Sequence, residues 1–482
     1  MPNFLVMDSE TSGGAGAARA FLYSNGSPTQ IGNDFGASRY NGATTDWGAT
    51  RSELIQFGGE LYGMARDGVY KKDDPTTMTG DWTIQIAFDN EQPGSANGAG
   101  TWGLHACNYN GIAGLVGVFK DDSQENRWRW VKFDGTTWTQ AASNQVGPGG
   151  PHIVDVVVYH NVLHVITGSA TGPAITAGAF DPSTDLFSVS TEGFWDSTSN
   201  QAFCVFEDRL FCAAKGSNQT WTIFEFSGTW TETAVTSMSA AMANIPQGKA
   251  SLFTDGTYMY TIFAGGSGNG YAAFRIDSSL VKTDISIATL PTNLLHTGYG
   301  GGAYADSATT DRMIPVYDLN SAVGTTDIYL FRATTTGGSW TVYKWNGDAA
   351  LLTVVDSGGG HTRHSLSSTL SMGERIFTPG DLDIRIVGRV ASPGGEQVSF
   401  VAYGGGTGRK MKLHYALEGT PPLLEATLSA PVTGGSATLN VGLNQVEGIA
   451  ADGVTVYTIL WDAGTDGLVS GQRAIRSPQL LV

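Results

Sequence analysis

Two kinds of hairpin alternate along the first 380 residues of the chain. In the first kind, two densely apolar segments flank a turn that is rich in Gly, Asp or Asn. Dense apolar content is typical of strands that are covered on both faces. Successive turns lie roughly 47–62 residues apart, close to the period of propeller blades. Seven such turns are predicted, near Gly59, Asn110, Asn161, Asp208, Gly256, Asp311 and Gly373.

The second kind of hairpin alternates apolar and polar positions and has a polar tip. Such alternation is typical of outer strands with one exposed face. The tips Asp134-Gly135, Ser227-Gly228 and Asn346-Gly347 contain glycine, which tolerates the positive φ that tight turns require. Weaker copies begin at Ile175 and Tyr271. One hairpin of each kind together predicts a four-stranded antiparallel sheet.

Two hairpins stand without a partner at opposite ends of this region. A hairpin of the second kind starts at Ala18, and one of the first kind covers 364–379. We expect them to share one sheet, because this would close a ring and remove exposed sheet edges. The sequence therefore predicts an all-β chain with a seven-bladed β-propeller over residues 1–380, closed by N-terminal strands. Six or eight blades are the alternatives, depending on the segments 89–101 and 319–327.

After residue 380 the pattern changes to shorter apolar segments. About seven of them fall within roughly 100 residues, the strand count and spacing of an immunoglobulin-like sandwich. The sequence predicts a separate C-terminal β-sandwich domain of the immunoglobulin or fibronectin type over 381–482. Its strands are expected to begin near Asp383, Gln397, Lys410, Leu423, Ala437, Gly453 and Gln472.

Composition narrows the possible partners. Charged residues make up 15% of the chain, compared with about 25% in a typical globular protein. The net charge of −17 argues against nucleic acid as a partner, since nucleic-acid-binding proteins use basic surfaces to neutralise phosphates. We therefore predict no nucleic-acid binding, and the low charge density fits surfaces that are buried in a permanent assembly.

The three cysteines are too few for a disulfide framework. Cys204 and Cys212 flank one predicted turn, and we expect both to be buried free thiols. The first ten residues lack a basic segment followed by an apolar one, so no signal peptide is predicted. No window approaches 18 uninterrupted apolar residues, so no membrane span is predicted. These features predict that the chain is made and folded in the cytoplasm.

Candidate acids for glycoside hydrolysis are few, and they are scattered. That chemistry needs two carboxylates about 5–10 Å apart. Asp46, Glu53 and Asp67 are the candidates at one end of the ring, and Asp381 and Asp383 share a strand face at the domain boundary. Turn or capping roles explain each of them more simply. The arginines that a sialidase would need are equally dispersed: Arg39, Arg51, Arg66, Arg363 and Arg375.

Other chemical motifs are weak. The histidine pairs His160/His164 and His361/His364 have no adjacent set of Asp, Glu or Cys, so they are poor metal ligands. The chain has no phosphate-binding glycine loop, no dinucleotide fingerprint and no nucleophile elbow with triad partners. We therefore predict no catalytic, cofactor-binding or metal-binding residue, no cofactor, and no enzymatic activity.

Most of the tryptophans lie inside the repeats, which favours a packing role. An exposed tryptophan would instead stack on a sugar ring, so a carbohydrate-binding propeller lectin is an alternative, as is a glycoside hydrolase. The residues concerned are Trp102, Trp128, Trp130, Trp138, Trp195, Trp221, Trp230, Trp340 and Trp345.

The predicted architecture and the Gly/Ser/Thr-rich loops resemble propeller-bearing structural proteins of tailed bacteriophage particles. The resemblance covers the predicted architecture, including the terminal immunoglobulin-like domain, and the general composition of the sequence. It includes no diagnostic motif. It implies a non-enzymatic structural or interaction protein of the virion, in the tail or as capsid decoration, made in the host cytoplasm. Its expected partners are other structural proteins of the assembly or, for host attachment, a surface glycan.

Overall fold

The structure is a computed structural model in which the described residues form an all-β chain. Its only helical segment among these residues is the three-residue 3₁₀ turn Val441–Leu443, so the described part contains no helix able to cross a membrane. The residues described are 4–9, 17–24, 27–37, 54–57, 60–65, 67–74, 77–89, 101–109, 112–121, 127–142, 152–159, 162–168, 175–194, 202–207, 209–215, 221–235, 249–254, 257–264, 271–285, 312–318, 327–333, 338–346, 351–361, 367–368, 383–392, 395–403, 407–415, 424–462, 464–466 and 479–481.

Seven four-stranded antiparallel sheets occupy the described residues up to 368, numbered here 1 to 7 along the chain. Sheets 1 to 3 contain β1 (Phe4–Ser9), β2 (Ala17–Ser24), β3 (Ser27–Ala37); β4 (Leu54–Phe57), β5 (Glu60–Ala65), β6 (Gly68–Lys72), β7 (Trp82–Ala87); and β8 (Thr101–Tyr109), β9 (Ile112–Asp121), β10 (Arg127–Phe133), β11 (Trp138–Gln140).

Sheets 4 to 7 follow the same order of pairing, each strand beside the next one in the chain. They contain β12 (His152–Tyr159), β13 (Val162–Gly168), β14 (Ile175–Asp181), β15 (Leu186–Phe194); β16 (Ala202–Phe206), β17 (Arg209–Lys215), β18 (Trp221–Phe226), β19 (Trp230–Glu232); β20 (Lys249–Thr254), β21 (Met259–Ala264), β22 (Tyr271–Ile276), β23 (Lys282–Ile285); and β24 (Arg312–Asp318), β25 (Asp327–Ala333), β26 (Gly338–Asn346), β27 (Leu351–His361).

One further strand completes sheet 1. β28 (Ser367–Ser368) pairs antiparallel with β1, placing Val6 opposite Ser368 and Met7 opposite Ser367. The predicted sharing of one sheet by the two ends of this region is therefore confirmed. The predicted division is wrong, because three strands come from the N-terminus and one from the later segment, where we expected two and two. The apolar segment at β1 is a strand that the hairpin pattern overlooked.

The cores lie between neighbouring sheets, as expected for strands that are apolar on both faces. Separate buried clusters join sheets 1 and 2, 2 and 3, 3 and 4, 4 and 5, and 5 and 6. Trp345 of sheet 7 packs edge-on against Phe253 and Tyr260 of sheet 6. Strands β24 and β27 of sheet 7 approach β28 and β3 of sheet 1. The arrangement is β-propeller-like.

Sheet 7 corrects a predicted turn. The turn between its first two strands was expected near Asp311, but it lies between Asp318 and Asp327. The reason is that 312–318, expected as the second strand of a hairpin, is the first strand of the sheet, and its partner β25 begins where the expected insertion ends. The other predicted hairpin near Gly373 extends beyond β28 into residues outside the described ones.

Strands from residue 383 onward pair only with one another among the described residues. Two four-stranded sheets, numbered 8 and 9, contribute to one core that includes Phe400, Met411, Val446 and Trp461. The strand β36 was not predicted, because a short 3₁₀ turn separates it from β35. The strands are β29 (Asp383–Ser392), β30 (Gly395–Tyr403), β31 (Arg409–Lys412), β32 (His414–Tyr415), β33 (Leu424–Glu425), β34 (Leu428–Thr433), β35 (Thr438–Asn440), β36 (Gln445–Ile449), β37 (Val456–Trp461) and β38 (Gln479–Leu481).

Candidate functional site

Most of the acidic candidates lie outside the described residues. These are Asp46, Glu53 and Asp381. Asp67 is half-buried beside the turn between β5 and β6, where it accepts a hydrogen bond from Tyr70 Oη at 3.1 Å. Asp383 begins β29 opposite Tyr403. The structure therefore brings no two of these carboxylates together among the residues it describes.

The histidine and cysteine candidates divide in the same way. His160 and His364 lie outside the described residues, whereas His164 is buried and contacts Phe226 edge-on at 4.8 Å between ring centroids. Cys204 and Cys212 are buried and form no disulfide, as predicted. Cys204 lies opposite Phe211 and Cys212 opposite Phe203 in the β16–β17 pair, so the two thiols face opposite sides of sheet 5.

The scattered arginines Arg39, Arg51, Arg66, Arg363 and Arg375 all fall outside the described residues. Within the described residues, no group of three or more His, Cys, Asp or Glu side chains is placed to hold a metal ion.

The tryptophans of the repeats pack between sheets. Trp130 stacks on Phe180 of the next sheet with ring centroids 5.0 Å apart, and Trp230 stacks on Phe203 at 5.7 Å. Trp138 is half-buried, and it stacks on Phe133 at 5.0 Å. A buried ring offers no face to a sugar. The other buried members of this set are Trp128 and Trp345.

Aspartates close the tips of several outer hairpins. Asp134 Oδ1 accepts hydrogen bonds from the backbone N–H groups of Thr136 and Thr137 at 2.9 and 2.7 Å. Asp181 and Asp277 make the same kind of contact with Ser183 N and Ser279 N. These are turns in which a carboxylate replaces a backbone acceptor. The signal in the sequence is an Asp with Ser or Thr two residues later.

These contacts shift the pKa of two tip carboxylates. Burial alone would raise the pKa of Asp134 and of Asp181. Hydrogen bonds from Thr136 and Thr137 at one tip, and from Ser183 and Thr184 at the other, favour the ionised form and lower both pKa values below the ordinary range. The carboxylates therefore remain ionised and hold the tips in one conformation.

Cations fasten these tips to the neighbouring sheet. Lys132 Nζ, in sheet 3, contacts Asp185 and donates to the carbonyl of Pro182 at 3.0 Å, both at the tip of sheet 4. Arg209, in sheet 5, donates to the carbonyl of Ser278 at 3.2 Å in the tip of sheet 6. Both contacts join residues that are far apart in the sequence, so no local sequence motif indicates them.

The tips also present apolar side chains to solvent. Leu186, which follows the tip of sheet 4, is 66% exposed, and Val281, at the tip of sheet 6, is 59% exposed. We name the tips between β10 and β11, β14 and β15, β18 and β19, and β22 and β23 the turn face. The described tips combine ionised carboxylates, Ser and Thr hydroxyls and isolated exposed aliphatic side chains.

A buried lysine lies near three carboxylates in sheet 2. Lys72 is fully buried, and its ammonium donates to the carbonyls of Thr79 and, at 3.2 Å, Asp74. Burial lowers the pKa of Lys72, while the charges of Asp74, Asp73 and Asp81 oppose that shift. Because both of these acceptors are backbone carbonyls, the lysine organises the connection between β6 and β7.

No protein-family model matches the sequence, and no curated protein shows significant similarity to it. Similar solved structures include the SapL1 lectin in complex with alpha methyl fucoside, at 14% identity over 64% of this chain and 97% of that chain, with a TM-score of 0.36. A Bacteroides uniformis protein, provisionally named as a 6-phosphogluconolactonase, is 11% identical over 77% of this chain and 98% of that chain, with a TM-score of 0.43.

A Synechocystis apocarotenoid oxygenase is 8% identical over 76% of this chain and 91% of that chain, with a TM-score of 0.39. These findings correct the prediction that the chain has no enzymatic activity, since similar structures include proteins named as enzymes. At such identities the similarity concerns the all-β fold and transfers no substrate or activity to this chain.

Proposed function

We propose that this chain is a structural and interaction protein that works in several copies within a large symmetric assembly, such as the tail or the decorated capsid of a phage virion. The observation that carries the proposal is the turn face, whose tips in sheets 4 and 6 are fastened to neighbouring sheets and lie beside the exposed side chains of Leu186 and Val281. A surface whose conformation is already fixed can bind a partner at little cost in conformational entropy.

The proposal includes a specific architecture. Sheets 1 to 7 form the seven blades of a closed ring, and sheets 8 and 9 form a sandwich of the immunoglobulin or fibronectin type. The ring is supported by the buried clusters between successive sheets and by the pairing of β1 with β28. The sandwich is supported by the single core that both of its sheets share. A rigid disc with an appended domain suits repeated contacts in an assembly.

The test is self-association of the full chain. We expect sedimentation velocity to show a concentration-dependent, multi-copy species at micromolar concentration. Leu186→Asp and Val281→Asp, alone and together, introduce charges at the proposed contact and should dissociate that species at least tenfold more readily. Val354→Asp is the control, because Val354 is 56% exposed on β27, outside the four tips that define the turn face.

Two results would reject the proposal. If the wild-type chain stays monomeric over the whole concentration range, the proposed multi-copy assembly is ruled out. Equal weakening by Val354→Asp and by the turn-face variants would show that assembly does not use this face. Circular dichroism of each variant establishes that its strand content is unchanged.

A further inference from the structure

A segment between β6 and β7 lies against the outer edge of sheet 1. We name its described residues Asp73, Asp74 and 77–81 the strap. Gly32 N and Asn33 N of β3 donate to the strap carbonyls of Met78 and Gly80, both at 2.8 Å. Unpaired outer edges of sheets are sites of unwanted pairing, and here the next sheet covers one.

Side chains add to the contact between the strap and β3. Asn33 Nδ2 donates to Asp81 Oδ1 at 2.5 Å, and Trp82 Nε1 donates to the carbonyl of Ile31 at 3.2 Å. Phe35 stacks on Trp82 with ring centroids 4.2 Å apart. The outer edge of sheet 1 is thus bound by backbone, polar and aromatic contacts together.

Gly32 makes the close approach possible. Its φ is +69°, and a Cβ atom there would lie 2.6 Å from Trp82 Nε1 and 2.9 Å from the carbonyl oxygen of Gly80. Any side chain at this position would therefore push the strap away from β3.

The strap is itself held in shape from within sheet 2. Lys72 donates to carbonyls of Asp74 and Thr79, and Thr77 Oγ1 donates to the carbonyl of Thr79 at 3.0 Å. Asp73 N donates to the carbonyl of Asp81 at 3.1 Å. These bonds close the base of the strap, so it meets β3 as a preformed element.

At the inner edge of sheet 1, fewer contacts lie among the described residues. β28 contributes two residue pairs with β1 in the described structure. In the described parts of sheets 1 to 7, the strap is the one place where backbone hydrogen bonds join a connection of one sheet to a strand of the next. Among the described residues of sheets 1 to 7, such a contact therefore occurs only at sheet 1, which contains both the N-terminal strands and β28.

We propose that the strap is a lock that fastens the N-terminal strands β1–β3 into the ring, so that these three strands open as one unit when the strap leaves β3. This goes beyond the proposed assembly function, because it concerns the stability of the ring in each single copy.

Hydrogen exchange followed by mass spectrometry on the full chain tests the lock. Gly32→Ala should raise the exchange rate at least tenfold in 27–37 and also in 4–9 and 17–24, while 209–215 in sheet 5 stays unchanged. Gly408→Ala is the matched control, since Gly408 has a φ of +71° and a Cβ atom there would meet no other atom within 4 Å. It imposes the same backbone strain without displacing a neighbour.

Asn33→Ala provides a milder variant, because Asn33 is exposed and the substitution removes only its hydrogen bond to Asp81. We expect faster exchange over the same three segments, by a smaller factor. If Gly32→Ala fails to fold, Asn33→Ala decides alone. Faster exchange restricted to 27–37 and the strap, with 4–9 and 17–24 unaffected, would overturn the proposal.

Discussion

Asp452 closes the turn between β36 and β37. Its Oδ1 accepts hydrogen bonds from Val454 N at 2.9 Å and Thr455 N at 2.8 Å, and its Oδ2 accepts one from Thr455 Oγ1 at 2.6 Å. The Thr455 hydroxyl and these N–H groups lower the pKa of Asp452 from 3.8 to about 2. Like the tips of the outer hairpins, this turn depends on an ionised carboxylate.

The shift predicts an acid sensitivity in the C-terminal region. A carboxyl whose pKa is lower in the folded state adds stability above its unfolded pKa, and that stability is lost as the pH falls toward the folded value. For Asp452 the window runs from about pH 4 down to about pH 2. Calorimetry should show a smaller acid-induced drop in melting temperature for Asp452→Asn than for the wild type. Thr455→Val should be intermediate, and identical drops in all three would contradict the assignment.

Lys72 predicts a pH dependence of the same sign, but in the alkaline range. Because burial lowers its pKa below 10.5, the unfolded chain binds more protons just below that pH, and stability should rise as the pH increases through this range. The melting temperature of the wild type relative to Lys72→Met should therefore increase as the pH rises toward 10.5. Lys71→Met, at the neighbouring half-buried lysine paired with Glu60 at 3.3 Å, is the control. A relative decrease would show that the ammonium is stabilised and not penalised by burial.

Local chemistry at the tips was partly predictable. The tips Asp134-Gly135 and Ser227-Gly228 indicated tight turns, and those turns occur. The partners of the tips were not predictable, because Lys132 and Asp185 lie 53 residues apart and meet only when two sheets pack side by side. Contacts of this kind follow from the order of the sheets and leave no motif in the sequence.

Aromatic side chains connect the sheets to one another. Tyr62 of sheet 2 contacts Phe133 and Trp138 of sheet 3, and Tyr159 of sheet 4 packs with Phe203 and Trp230 of sheet 5. Each cluster buries large apolar surfaces where two sheets face each other. The regular spacing of tryptophans along the sequence follows from this repeated need.

The burial of these rings predicts unequal costs of substitution. Trp128 is 2% exposed, so Trp128→Ala should destabilise the chain by about 3–5 kcal/mol. Trp138 is half-buried near a tip, and Trp138→Ala should cost about 1 kcal/mol. Urea unfolding followed by circular dichroism measures the difference. Equal costs would mean that Trp128 does not carry the packing between sheets 3 and 4.

At the level of strands, the prediction succeeded where each hairpin had a short turn. The first hairpins of sheets 2 to 6 lie where they were expected. Sheet 7 was misplaced because β24 and β25 are separated by a long connection, 319–326, so the apolar segment 312–318 was assigned to the preceding hairpin. Apolar patterning identifies a strand but does not give its partner when the connection is long.

The arrangement of sheets 1 to 7 depends on the pairing of β1, near residue 6, with β28 at 367–368. The three N-terminal strands join a sheet whose inner strand comes from 367–368, and each of sheets 2 to 7 is built from consecutive strands. The two unpartnered hairpins, one starting at Ala18 and one covering 364–379, indicated this arrangement. Their exact share of the sheet was not predictable, because a two-residue strand such as β28 carries no apolar pattern.

Disulfide trapping between residues 6 and 368 is the most direct test of the closed ring. Val6→Cys and Ser368→Cys would be introduced after replacing Cys107, Cys204 and Cys212 with serine. Direct partners in an antiparallel pair have Cα atoms about 4.5–5.5 Å apart, within the range that a disulfide spans. Mild oxidation should produce a cross-link within one copy, detected by mass spectrometry, whereas Val6→Cys with Thr353→Cys on the outer strand β27 should not. No 6–368 cross-link, or one formed only between copies, would contradict closure of the ring.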